Sequence, residues 1–456
     1  LPQVRLDNFF KQDTILTVAA ELAGYNFGVW RVWPSLSITE LRAGSAGFAV
    51  SDDQLAWITS LLYLGFLLTP FFCSYLVVRL GRRTILYLTS ALHTVSWLLV
   101  VLAQNPYHLY IANFFGGLAG GVWNDDGTCL RLRDLICEHP RSFDRLFLGV
   151  HQPGTSDDGE HGIWLSYQEV NLFGLGGASV AFVLQFVVLT ESPFYLLASK
   201  REEKATVAYK RFHASSGEDK IETEVSALKA AVEKDMEHKS SYMELLTCKR
   251  AFIILVVESF FQNLGGANSM LAFGVISLPK TELFLTPHQT ILICVISGTF
   301  FNCISSSIVD SVGRKPLLVI SVGMCSVFTG GLCVYFFLVE ELEVDSLEYE
   351  YIPHLLLIGF IASYTSGFAI SRSLIIGEFF PTNTRTHAGL TSTFCFATAG
   401  FVVTLSFLHV VRLIGLYFMF FLFFLVNFTN FWFSLFFFVE TKGKNLFEIQ
   451  EYLKSL

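Results

Sequence analysis

Four side-chain amides fall where the chain is otherwise apolar. Gln262, Asn263 and Asn268 share one hydrophobic run, and Asn26 lies in another. An amide donates and accepts hydrogen bonds without carrying charge, so such a cluster suits an uncharged, hydroxyl-rich solute. It can equally bond neighbouring helices within a bundle. Glu21, Glu258 and Arg372 also sit inside apolar runs, where an ionisable group is expensive and marks a functional position by default. A second set of residues is polar and repeated. Gly81-Arg82-Arg83 recurs as Gly313-Arg314-Lys315, preceded by Asp310, and Glu191-Ser192-Pro193 has a counterpart in Glu440-Thr441-Lys442. Glu378 and Arg385 bracket a further polar string. Glycine permits a tight turn between helices, and arginine offers a planar fork to carboxylates and helix C-termini. Such groups can make a breakable lock. Chemistry of other kinds has no foothold: the 11 His residues form no metal-spaced pair, the 9 Cys are scattered, and neither a nucleophile motif nor a phosphate loop appears. No catalytic residue, metal or cofactor is therefore expected, and the chain is not expected to be an enzyme.

The elements that must position these groups follow from composition. Of 456 residues, 52% are hydrophobic and only 15% are charged, whereas soluble domains carry about 25% charged residues. A net charge of -8 argues against nucleic acid as a partner. The partner indicated is the lipid bilayer. Runs long enough to cross it lie near Ile15–Pro34, Ala56–Val78, Ile85–Ala103, Tyr107–Trp123, Val170–Thr190 and Ala251–Ile276. Others lie near Thr290–Val309, Pro316–Val339, Ile352–Gly377, Ala388–Val411 and Leu416–Val439, about eleven in all. Helices are the expected form, since lipid cannot satisfy free backbone groups and the runs exceed barrel-strand length. The chain starts at Leu1 without a signal-peptide pattern, which reads as an incomplete N-terminus.

Basic residues occupy alternate loops: Arg79, Arg82 and Arg83, then Arg314 and Lys315, with more in the polar stretch Ser199–Arg250. Asp52 and Asp53 or Glu340, Glu341, Glu343 and Asp345 occupy the opposite loops. The positive-inside rule puts both termini in the cytoplasm. The repeated strings divide the chain into a transmembrane half at residues 1–197, a cytoplasmic helical linker at 198–250, a second half at 251–439 and a tail at 440–456. The repeat fails once. A partner for the string from Glu378 to Arg385 should follow Trp123, but residues 124–163 form a charged insert without apolar run or helical period. It is either a polar loop or a displaced reading frame. Joining the last two bases of each codon to the first of the next permits Met-Met-Val-Pro-Val-Tyr-Val-Ser-Glu-Ile-Ser from Asp125 and Arg-Gly-Ala from Pro140. The Glu and Arg so created are spaced as Glu378 and Arg385 are.

Two six-span halves, the charged linker and the G-R-[RK] repeats together resemble the major facilitator superfamily. Within it, four strings are similar to those of the sugar porter family: Gly24-Tyr25-Asn26-Phe27-Gly28-Val29; Glu191-Ser192-Pro193-Phe194-Tyr195-Leu196; Phe261-Gln262-Asn263-Leu264-Gly265-Gly266-Ala267-Asn268; and Val439-Glu440-Thr441-Lys442-Gly443-Lys444. The fold class implied is an all-α membrane protein of two pseudo-symmetric six-helix bundles, with the fifth span disrupted by the insert. The resemblance implies a multi-pass carrier in the plasma membrane that moves a small-molecule sugar, such as trehalose or a hexose, by alternating access. Gln262, Asn263, Asn268 and Asn26 would bind it. Family members coupled to protons carry Asp where Asn26 stands, so the expected mode is uniport. Gly81, Arg82, Arg83, Glu191, Asp310, Gly313, Arg314, Glu378, Arg385 and Glu440 would form the inner gate. No feature of the sequence sets an oligomeric state.

The sequence also departs from the family. Val78 replaces an acid and Asn113 replaces an Arg. The tenth span reads Ala369-Ile370-Ser371-Arg372-Ser373 where the family has two prolines and a Trp. Losing those prolines removes the expected helix break, and Arg372 would bind a carboxylate or pair with Glu258. A sensor that binds sugar without moving it, a nonfunctional product, and a carrier of organic ions are the alternative readings. The nucleotide sequence decides the nature of the insert: two offsetting frame errors are expected near the codons for Trp123 and Trp164, and a transcript that reads straight through with other codons rules them out.

Overall fold

The structure is a computed structural model that describes residues 12–44, 46–124, 167–188, 191, 193–212, 224–230, 232, 242–246, 249–279, 285–345, 348–381, 384–444 and 446–455. The charged insert and the place of the fifth span lie outside the described residues. Everything else the sequence marks as a span is helical. In the first half these helices are α1 (Gln12–Ala43), α2 (Asp52–Leu80), α3 (Arg82–Val101), α4 (Pro106–Asn124) and α5 (Tyr167–Val188). Short helices follow among the described residues, α6 (Pro193–Ala198), α7 (Glu202–Phe212) and α8 (Tyr242–Leu245), and residues 224–230 are helical as well. The second half holds α9 (Lys249–Leu264), α10 (Ala267–Ser277), α11 (Pro287–Val312) and α12 (Arg314–Glu340). After these come α13 (Tyr351–Ser363), a π-helical turn (Tyr364–Phe368), α14 (Ala369–Phe379), α15 (Arg385–Leu413) and α16 (Leu416–Phe437). A terminal α17 (Leu446–Ser455) packs beneath α9 and α14.

Eight of the described helical stretches are long and apolar enough to cross a membrane. Of the remaining candidates, α1 and α4 carry polar and small residues that lower their hydropathy, and the run Ala251–Ile276 is divided into α9 and α10. Outward faces carry Phe71, Val187, Ile320, Val327 and Phe436, each more than half exposed, as a surface that meets lipid rather than water requires.

The internal repeat reappears as packing. In the first half α3 packs on α4 and α5, and α2 packs on α4. In the second, α12 packs on α13 and α16, and α11 on α13. Helices α2 and α11, which correspond in the repeat, both start with a capping box. Ser51 Oγ accepts from Gln54 N and Gln54 Oε1 from Ser51 N; Thr286 Oγ1 accepts from Gln289 N and Gln289 Oε1 from Thr286 N. Each box satisfies two of the N–H groups that a helix start would otherwise leave bare. Inside the first half, Trp30, Trp33 and Trp97 form one buried ring cluster, anchored where Trp33 Nε1 donates to Asn171 of α5 at 2.8 Å. The halves meet along two seams, α2 against α15 and α1 against α10.

Each half also has one strained glycine between its second and third spans. Gly81 adopts φ 85° and Gly313 φ 106°, conformations that side chains resist. Each is pressed by a carboxylate: a Cβ on Gly81 would lie 2.5 Å from Glu191 Oε2, and one on Gly313 would lie 2.8 Å from Glu440 Oε2. Replacing Gly313 with Ala should therefore destabilise the folded bundle by about 1–3 kcal/mol. Gly176→Ala, inside α5 where a Cβ would meet nothing within 4 Å, should not destabilise it and should raise stability by up to about 1 kcal/mol. Thermal unfolding in detergent measures both, and equal melting temperatures would contradict the crowding.

Candidate functional site

The three clustered amides lie where the seventh span breaks. Gly265 and Gly266 interrupt it, and Gly266 takes a left-handed φ of 91° while the Phe423 ring presses against it. Breaking a helix inside a bilayer frees backbone groups that only protein can satisfy. Asn427 of α16 meets the need, donating to the Gly265 carbonyl at 3.1 Å. On either side of the break stand Gln262, Asn263 and Asn268, each buried to 3% exposure or less.

All three amides are bonded across helices. Gln262 Nε2 donates to the Phe368 and Ala369 carbonyls at 2.9 and 3.0 Å. Those carbonyls border the π-helical turn, where the tenth span stays helical from Tyr351 to Phe379 and, as expected without the family's prolines, is not broken. The π turn only widens the ladder locally, with Ala369 N–H reaching the Tyr364 carbonyl. Ser321 of α12 bonds the turn as well, accepting from Phe368 N at 2.9 Å and donating to the Ser363 carbonyl at 2.6 Å. Asn263 Nδ2 donates to the Phe396 carbonyl of α15 at 2.8 Å, and Asn268 Nδ2 donates to Asn263 Oδ1 at 2.7 Å. Arg31 of α1 donates to Asn268 Oδ1 and ties this network to the first half. The fourth amide, Asn26, is buried on α1 at 1% exposure.

Arg31 is a site residue that the sequence reading passes over. Its signal is a cation inside the run Ile15–Pro34, and its partner is 237 positions away. Arg372 is 5% exposed with its guanidinium 4.7 Å from the centre of the Phe396 ring. The expected Arg372–Glu258 pair does not form: Glu258, one turn before Gln262, accepts from Ser434 of α16 at 2.9 Å. The side chain of Glu21 lies outside the described residues.

The repeated polar strings gather at the bundle end where the second and third spans of each half join. Glu440 accepts from the backbone N–H groups of Arg314, Lys315, Thr441 and Lys442 at 2.8–3.1 Å. It is a carboxylate placed on the N-terminus of α12, where the helix dipole favours negative charge. Glu191 does the same for α3, accepting from Arg83 N at 3.2 Å. The Arg314 guanidinium reaches Asp310 at 2.9 Å and Glu378 at 3.0 Å, Thr441 Oγ1 donates to Glu378, and Arg385 Nε donates to the Phe380 carbonyl at 2.8 Å. These bonds join helix ends within one half. The side chain of Arg82 lies outside the described residues.

At the opposite end, ion pairs do join the halves. Arg412 of α15 reaches Asp53 at 3.0 Å and Asp52 at 3.7 Å, and His409 stands 3.6 Å from Asp53; within the first half, Arg42 of α1 holds Asp52 at 2.6 Å. The sequence marks these aspartates only as loop acids; their partner lies more than 350 positions away.

Comparison with known proteins extends these observations. Solved structures of the xylose transporter XylE share the architecture. One is its proton:xylose symporter form bound to 6-bromo-6-deoxy-D-glucose (17% identity, TM-score 0.67, 97% of this chain and 99% of that one). Another is its inward-open conformation from E. coli (17% identity, TM-score 0.70, 96% and 98%). The fold is that of a major facilitator membrane transporter. Among curated relatives, the facilitated trehalose transporter Tret1 of Apis mellifera ligustica is 24% identical over 454 residues, 97% of this chain and 88% of its own length. That of Bombyx mori is 24% identical over 415 residues, 89% and 80%. Residues 171–453 match the family model described as "Sugar (and other) transporter", and the chain belongs to that family. It is a multi-pass membrane transporter and not an enzyme.

The Glu440 cap predicts a pH dependence. Partial burial pushes its carboxyl up, but the N–H groups of Lys442, Arg314, Lys315 and Thr441 outweigh that and hold it below the ordinary carboxylate range. A depressed folded pKa contributes stability that is present above the unfolded pKa and is lost as pH falls through the folded one. Thermal stability in detergent should therefore decline as pH drops below about 4.5, and Glu440→Gln should flatten that decline. A variant with the wild-type pH profile would remove Glu440 from the cap.

Proposed function

We propose that the protein is a facilitative carrier of a sugar such as trehalose or a hexose, working by alternating access in the plasma membrane with both termini in the cytoplasm. The observation that carries the reading is the buried amide network at the broken seventh span, bonded to the tenth and eleventh spans and to α1. A sugar presents hydroxyls that ask for donors and acceptors together. Each amide bond to a neighbouring helix can be exchanged for one to a hydroxyl at small net change, since hydrogen bonds between membrane helices are worth about 0.6 kcal/mol on average. Gln262, Asn263 and Asn268 bind the sugar in this reading, and Asn26 lines the first-half wall.

The alternating gates follow from the two bundle ends. The cluster of Arg42, Asp52, Asp53, His409 and Arg412 closes the outer end in the state described here. At the inner end, Gly81, Arg82, Arg83, Glu191, Asp310, Gly313, Arg314, Glu378, Arg385 and Glu440 lock each half as a unit and meet across the seam when the carrier turns outward. Two facings must differ by only a few kcal/mol for both to be populated, and exposed ion pairs of about 0–1 kcal/mol each are suited to that. An amide does not titrate, so Asn26 is no proton carrier; the intramembrane carboxylates Glu21 and Glu258 are the groups through which coupling would otherwise run. A second reading, a sensor that binds sugar without carrying it, is favoured by the charged stretch where a fifth span belongs.

Reconstituted into liposomes, the full chain should take up trehalose or glucose saturably, at a rate indifferent to an imposed pH gradient. Gln262→Ala should lower uptake about tenfold or more, the loss of one well-placed bond in a buried site. Strong acceleration by inward protons would contradict uniport, and binding without uptake would favour the sensor.

A further inference from the structure

Helix α9 carries one acid, Glu258, about 14 Å of helix inward from Lys249 and only 1% exposed. Its partners among the described residues, Ser434 and Asn430 of α16, are neutral and fully buried. The second carboxyl oxygen, Oε2, has no hydrogen-bond partner among the described residues. Helices α10 and α16 carry no Lys, Arg, His, Asp or Glu. On the other elements packed against α9, the ionisable groups are engaged elsewhere or exposed. From α14, Arg372 lies over Phe396 and Glu378 holds Arg314. From α15, Arg385 donates to the Phe380 carbonyl, His387 stacks on Tyr242, His409 and Arg412 stand at the far end beside Asp53, and Cys395 supplies no positive charge. Glu448 and Glu451 of α17 are exposed. An ionised carboxylate without a cation is far costlier in a bilayer than the neutral acid.

The contacts point the same way. Ser434 Oγ stands 2.9 Å from Glu258 Oε1 and 3.2 Å from Asn430 Oδ1, and a serine hydroxyl has one hydrogen to give. Beside an ionised carboxylate, that hydrogen is divided between two acceptors. Protonation of Oε1 turns the first bond round: the acid donates to Ser434, Ser434 donates to Asn430, and each contact has its own hydrogen. We propose that Glu258 is a proton-binding site that stays occupied through the transport cycle, a carboxylic acid that pins α9 to α16 and positions Gln262 one turn along. The proposal rests on the carrier reading above and explains how such a carrier keeps a carboxyl in its core yet moves sugar without moving protons. With Asn427 bonding the Gly265 carbonyl, α16 then holds the seventh span both before its break and at it.

Infrared spectroscopy of the full chain in liposomes at neutral pH reads the proton directly. The carbonyl stretch of a buried carboxylic acid is expected, and Glu258→Gln should remove it from the difference spectrum. That amide can donate to Ser434 in place of the acid, so Glu258→Gln should keep the melting temperature and hold trehalose or glucose uptake within about twofold, whereas Glu258→Ala should lower uptake about tenfold. A missing band overturns the proposal, as does a Glu258→Gln variant that melts like the wild type but has lost uptake. Uptake that inward protons accelerate in the wild type and not in Glu258→Gln overturns it too, because the proton would then travel with the sugar. Uptake that needs sodium, and loses that need in Glu258→Gln, would give the site to a metal cation instead and likewise overturns it. If the wild type carries no sugar, the carrier reading falls, and the infrared band alone decides whether Glu258 holds the proton.

Discussion

A helix broken inside a bilayer exposes backbone groups that lipid cannot bond. This chain breaks one helix, at Gly265–Gly266, and widens another into a π turn at Tyr364–Phe368, and polar side chains of neighbouring helices answer both. Asn427 answers the first, and Ser321 and Gln262 answer the second. Gln262 belongs to the margin of the break and bonds the π turn, so the two spans are coupled through one amide. Asn263 and Asn268 extend the chain of bonds to α15 and, through Arg31, to α1. Polar groups that hold a membrane bundle together are ordinarily a matter of stability. Here they also stand at the seam between halves, where, in the proposed carrier, exchange of partners would convert a structural bond into a binding event.

The bundle ends meet the opposite requirement, rigidity within a half. Glu191 over Gly81 and Glu440 over Gly313 place a carboxylate on the first N–H groups of the third and ninth spans, a contact that a Cβ would obstruct in both cases. The arrangement fixes three helix ends at one point in each half. At the exposed end, ties between the halves are of a different kind: Arg412 of the second half pairs with Asp52 and Asp53 of the first, and His409 stands 3.6 Å from Asp53. Strong bonds within lobes and weak ones between them are what rigid-body rocking about a central site needs.

Much of this was legible in the amino-acid sequence. Hydropathy located the spans, and the recurrence of Gly-Arg-Arg as Gly-Arg-Lys marked both the two-fold repeat and the helix ends it stabilises. The amide cluster was visible as polar residues in an apolar run. What escaped was of two sorts. A π turn has no compositional signature, so the one within the tenth span went unseen, and Gly265–Gly266 lay unremarked inside a single long span. Pairings across the chain were the other. Arg31 with Asn268 and Arg412 with Asp53 depend on how two lobes dock; Glu258, offered as a partner for Arg372, accepts from Ser434 instead. Local pattern determines helices; docking determines partners.

The central claim is that the two lobes turn about the amide seam. Electron–electron distance measurements in liposomes test it most directly, with one spin-label pair on Gly47 and Leu413 at the ion-paired end and another on Leu80 and Lys442 at the motif end. On adding trehalose or glucose, the account predicts that one distance distribution lengthens while the other shortens, in matched proportion. Distributions that stay single and unchanged at both ends with every solute would contradict it.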